Sequence, residues 1–173
     1  MQIYRSAVFA LVAFGLGTVH ANAQDANTVE ILPYVAVGSS GASPVGAAVV
    51  FPVASSLGIE TDVAYRRGEG RIHALSTNTS LLWYLPRIGR STPYLAGGVG
   101  LAQYGSPVFS GDGPPIGAQS RIALTVNAGG GVKMPVSEKV GLRTDVRWFK
   151  SFRDGESEQF RVAQALSFGV GKR

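Results

Sequence analysis

Apolar and polar residues alternate along most of this chain with a period of two. The clearest stretch is Val140 to Lys150. Val140, Leu142, Thr144, Val146 and Trp148 fall on one side, and Gly141, Arg143, Asp145, Arg147 and Phe149 on the other. Successive side chains of a strand point to opposite faces, so this pattern predicts a strand with one apolar and one ionic face. The same alternation recurs at Thr28–Gly38, Val45–Pro52, Leu57–Arg66, Arg71–Leu85, Arg121–Met134 and Phe160–Val170. Pro93–Tyr104 is a glycine-rich strand whose phase is harder to read. The pattern therefore predicts eight strands of about ten residues or slightly more, the length that crosses a bilayer when tilted. Short connections imply antiparallel up-and-down order, and eight strands close into a barrel whose interior side chains just fill.

The connections alternate too. Those after the second, fourth and sixth strands are compact and carry Pro52, Pro86 and Pro135. Those after the fifth and seventh, Gly105–Ser120 and Ser151–Gln159, are the long polar ones and are expected to be irregular loops. The turn and strand from Phe51 to Tyr65 repeat at Met134 to Trp148, 83 residues later. This four-strand periodicity sets the third and seventh strands opposite each other in an eight-strand ring. On the apolar face, Phe51, Trp83 and Phe168 mark one end of the strands and Tyr65, Trp148 and Phe160 the other. Two such rows are expected at the two surfaces of a membrane.

Composition narrows the class. The chain has 173 residues, 23 of them glycine, and no cysteine, which excludes disulfides and thiolate sites. Residues 1–23 read as a signal peptide: Arg5, an apolar stretch from Ala7 to Val19, and the small-x-small site Ala21-Asn22-Ala23. The expected mature domain is residues 24–173. The formal net charge is +5, but the basic residues are scattered, which argues against a nucleic-acid face.

The residues that bear chemistry lie on the face opposite the apolar one. They are Glu30, Glu60, Asp62, Arg66, Lys133, Arg143, Asp145, Arg147 and Arg161. Charges taken out of bulk water must be paired or hydrated, so these residues are expected to form an ionic network that plugs the lumen. A gate on a narrow ion path is the alternative. His73 is the only histidine after the signal segment, and Ser76, three positions on, belongs to the opposite face, so no nucleophile–base pair and no metal cluster is expected.

Taken together, the signal segment, Pro93-Tyr94-Leu95-Ala96-Gly97-Gly98-Val99-Gly100, and Gly129-Gly130-Gly131-Val132 leading into Pro135–Trp148 resemble the small outer-membrane β-barrel proteins of Gram-negative bacteria, the family that includes OmpA-type transmembrane domains. The resemblance implies an all-β, eight-stranded, antiparallel up-and-down transmembrane β-barrel. It also implies an outer-membrane location, outer-membrane lipid and the barrel-assembly machinery as partners, a structural or surface-interaction role, and no cofactor. Many members end on an aromatic residue; this chain ends Phe168-Gly-Val-Gly-Lys-Arg173, which leaves Phe168 as a shifted equivalent. Some members are lipid A deacylases or acyltransferases, but no matching His-x-Ser pair is present. An unidentified extracellular ligand is expected, if anywhere, at 105–120 and 151–159. The rival from another class is a secreted soluble β-barrel that binds an apolar ligand inside; it requires the opposite phase, apolar inward and charged outward.

Overall fold

The computed structural model describes residues 28–39, 43–67, 73–109, 115–152 and 157–170. The expected signal peptide lies outside the described residues. The strands are β1 (Val29–Gly38), β2 (Val45–Ala54), β3 (Leu57–Arg67), β4 (His73–Tyr84), β5 (Thr92–Phe109), β6 (Pro115–Pro135), β7 (Val140–Phe152) and β8 (Ser157–Val170). Each pairs antiparallel with its sequence neighbour, and β1 pairs with β8 to close the barrel. Closure satisfies both edges of the sheet, which an apolar solvent demands because it offers backbone groups no partner.

The phase decides which solvent each face meets. Val35, Val63, Leu81, Val99, Leu124, Val146 and Leu166 all point outward and are exposed. Glu60, Asp62, Arg143, Asp145, Arg147 and Arg161 point inward and are buried. A water-soluble barrel cannot present such a continuous apolar belt, since monomeric soluble proteins keep contiguous apolar patches small. Gln164 interrupts the outward row of β8, and Thr144 on β7 donates a hydrogen bond to its Oε1 at 3.0 Å, so part of its polarity is met within the sheet.

Two expected loops prove to be largely strand. Gly105–Ser120 is mostly a β-ribbon: Gly105 pairs with Ser120 and the ladder continues to Val108 opposite Gly117, with a register shift before Phe109. Pro107 and the glycines there suggested a loop. β4 ends opposite Gly105 and β7 ends opposite Leu124, so the ribbon beyond them has one neighbour per strand. Proline is tolerated at such sheet edges. Ser151–Gln159 is corrected in the same way, since β7 continues to Phe152 and β8 begins at Ser157.

The barrel has a turn end and a loop end. The turn end carries the compact β2–β3, β4–β5 and β6–β7 connections, including a turn with Gly89 at φ 61°, a backbone state that suits glycine. The loop end carries the other connections, and the ionic interior lies between the two.

Candidate functional site: the ionic interior

Two inward tyrosines organise the middle of the lumen. Tyr34 on β1 lies beside Gly46 on β2, and Tyr94 on β5 beside Gly131 on β6. These glycines are required by packing. A Cβ at Gly46 would stand 2.6 Å from the Tyr34 ring, and one at Gly131 would stand 2.4 Å from the Tyr94 hydroxyl. Each ring lies across its glycine and reaches an aspartate one strand further on. Tyr34 donates to Asp62 Oδ2 at 2.7 Å, and Tyr94 donates to Asp145 Oδ2 at 3.1 Å.

Asp62 and Asp145 occupy the same position in the two copies of the sequence repeat. The pattern Tyr–Gly–Asp on β1–β2–β3 thus recurs on β5–β6–β7, half a turn around the barrel. Each unit adds one arginine, and here the halves differ. Arg161 of β8 lies over the Tyr34 ring and reaches Asp62 at 3.3 Å. Arg143 of β7 lies 4.5 Å from the Tyr94 ring centroid, donates Nε to its hydroxyl at 2.6 Å and reaches Asp145 at 3.1 Å.

Glu60 joins the halves across the lumen. Its carboxylate accepts from Arg143 Nη1 and from Arg147 Nη2, the latter at 2.5 Å. Arg147 also approaches Asp145 Oδ2 at 3.4 Å. Arg143 and Glu60 are themselves equivalent positions of the repeat, 83 residues apart, with opposite charge and in contact. The central group of Glu60, Asp145, Arg143 and Arg147 is therefore charge-balanced and buried; Arg147 is 1 % exposed and Glu60 3 %. Burial of this depth is tolerated only when charges are paired and hydrogen-bonded.

The remaining expected lumen residues sit at other levels. Lys133 pairs with Glu30 toward the turn end. Arg66 is half-buried at the loop end and donates Nη1 to Gln159 at 3.1 Å. Tyr34 and Tyr94 were not among the expected lumen residues, nor was a buried polar layer of Asn78, Ser80, Thr125 and Asn127. In that layer Ser80 donates to Asn127 Oδ1 at 3.1 Å and Thr125 to Asn78 Oδ1 at 3.2 Å. Alternation put Tyr34, Asn78, Ser80, Thr125 and Asn127 on the inward face, whereas Tyr94 lies on β5, whose glycines hide the phase; the contacts between all of them depend on register between distant strands.

On the outer face Phe51, Trp83, Phe168, Tyr65 and Phe160 are exposed, while Trp148 is half-buried with its Nε1 3.4 Å from Glu158. His73 also faces outward, with its Nδ1 2.6 Å from the Tyr65 hydroxyl. Ser76 occupies an inward position of the same strand and lines the lumen, so the two are not a nucleophile and its base.

The class defined by a closed eight-strand ring, an apolar exterior and an ionic interior is a transmembrane β-barrel. Sequence comparison finds no matching family model and no matching curated protein. Solved structures do match. The N-terminal β-barrel domain of Pseudomonas aeruginosa OprF is similar with a TM-score of 0.60 and 15% identity, over 83% of this chain and 98% of that one. Neisserial surface protein A is similar with a TM-score of 0.63 and 11% identity, over 82% and 94%. The outer membrane enzyme PagL is similar with a TM-score of 0.51 and 14% identity, over 82% and 99%. At these identities the likeness is one of fold.

Proposed function

We propose that this chain is an integral outer-membrane β-barrel with a structural or surface-interaction role, its lumen sealed by the ionic network and its outward aromatics seated at the two membrane surfaces. The observation that carries this reading is the Glu60 bridge, in which arginines of β7 meet a carboxylate of β3 across the interior. A side chain fixed by two charge-assisted contacts across a narrow eight-strand lumen leaves little room for a conducting path. The loop end, where the β5–β6 ribbon projects past its neighbours, faces outward and the turn end faces the periplasm, following the rule that the external side carries the longer extensions. An enzymatic role lacks support, because His73 and Ser76 occupy opposite faces.

Two experiments test the reading. In cell fractionation the protein belongs in the outer membrane and migrates differently on gels before and after boiling; recovery in the soluble periplasm would reject it. In planar bilayers the wild type gives no steady conductance, and Arg143→Ala gives at most brief events as Glu60 loses one of its two tethers. Steady wild-type conductance that changes in Arg143→Ala would replace the sealing role with gating.

A further inference from the structure

The outer face of β8 places an amide deep in the hydrocarbon. Gln164 points outward and is exposed, four residues from Phe160 and four from Phe168, the aromatics at the two ends of its strand. Four residues of strand cover about 13 Å, which is about 10 Å of depth in a strand tilted by about 40°. A glutamine side chain is shorter than that, so its amide cannot reach either headgroup layer. The outward side chains beside it on β8 and β1, Val162, Leu166 and Val35, are apolar and exposed.

The amide is only half satisfied by its own sheet. Thr144, its cross-strand partner on β7, donates to Oε1 at 3.0 Å. The two Nε2–H donors have no acceptor among the described residues, which here include the whole of β1, β7 and β8. The other half of the barrel handles the same position differently. Thr61, which stands 83 residues before Thr144 in the repeat, meets the hydroxyl of its own partner Thr79 at 3.4 Å. The amide with donors to spare therefore belongs to the β7–β8–β1 side alone. Hydrocarbon offers these donors nothing, and an unpaired polar group there is costly. Amide side chains within a membrane are met instead by a polar group on a neighbouring segment.

We propose that this face carries a two-fold contact with a second copy of the chain, in which Nε2 of each Gln164 donates to Oε1 of the other. A carboxamide is its own complement, because donor and acceptor share one planar group. A two-fold axis beside it pairs the two groups reciprocally. Oε1 has a lone pair left after accepting from Thr144. The neighbouring side chains Val35, Thr144 and Val162 are shorter than glutamine, so the two amides can meet as the faces approach. A lipid tail has no acceptor, and an unrelated membrane protein would need one placed at this depth. The proposal rests on the reading that this face meets lipid.

The test uses the protein folded into phosphatidylcholine vesicles at rising protein-to-lipid ratio, with one spin label at Val37→Cys on β1 or at Leu101→Cys on β5, across the barrel. Dipolar coupling between labels at Val37 is expected to rise to saturation, with a shorter distance than between labels at Leu101. Gln164→Met keeps the length of the side chain without the amide and should weaken the association about tenfold. Gln164→Leu serves the same purpose should the methionine variant fail the gel-shift check for folding. The proposal is overturned if the inserted protein shows no saturable coupling, if the Leu101 labels are the closer pair, or if a folded amide-free variant associates like the wild type. A protein that does not insert into the vesicles would reject the lipid-facing reading itself, and the proposal with it.

Discussion

Replacing Glu60 with glutamine keeps the side chain's size and removes one charge from the balanced central group. Arg143 and Arg147 are then left to share Asp145, at 3.1 and 3.4 Å. Two buried guanidinium groups face a single carboxylate, and neither can give up its proton. Removing one partner of a buried pair costs about 3–5 kcal/mol. The direct Coulomb attraction of two unit charges 4 Å apart, about 4 kcal/mol at an effective dielectric of 20, has the same scale. The reverse change, Arg143→Met, should cost less, because Glu60 and Asp145 both keep Arg147 and a carboxylate can neutralise itself by taking up a proton. The double variant leaves one arginine against one aspartate and should recover part of the loss, with a coupling of about 0.5–3 kcal/mol. Urea unfolding in lipid vesicles, followed by tryptophan emission and gel mobility, measures all three. A Glu60→Gln variant within about 0.5 kcal/mol of wild type, the range of an ordinary surface change, would refute the reasoning. So would a double variant that equals the sum of the singles.

Other outcomes follow from the same geometry. Gly131→Ala puts a Cβ 2.3 Å from the Thr144 carbonyl oxygen and 2.4 Å from the Tyr94 hydroxyl, and should destabilise by about 1–3 kcal/mol; normal unfolding would show that the tyrosine does not need its glycine. Val146→Arg sets a charge on the outer face of β7, two residues from Trp148 and six from Val140, which pairs with Phe168, and should cost about 1–2 kcal/mol in vesicles, between the midplane and interface values. A neutral effect there would place that face in water.

Much of the architecture was legible along the chain because a period of two survives wherever the two faces differ in chemistry. The facing of Arg143, Asp145 and Arg147 on β7 needed only the alternation of Val140–Trp148, and the 83-residue repeat set β3 opposite β7. β5 resisted phasing because glycine occurs on both of its faces: Gly97 points out while Gly98 and Gly100 point in, which erases the contrast. The β5–β6 ribbon was read as a loop because proline and glycine signal turns in a sheet interior but are tolerated on an edge. The pairing inside the lumen was the least legible. That Asp62 takes Arg161 while Glu60 takes Arg143 and Arg147 depends on barrel stagger and on side-chain reach across it. Tyr34 and Tyr94 gain their roles only once Gly46 and Gly131 lie beside them.

The central claim is that the Val146 face meets lipid while the Arg147 face is enclosed. The chain has no cysteine, so a single spin label can be introduced at any chosen position without removing a native thiol. With a label at Val146→Cys in protein folded into phospholipid vesicles, apolar oxygen should relax the probe strongly and a water-soluble nickel chelate weakly. Strong relaxation by the nickel chelate and weak relaxation by oxygen would contradict the account.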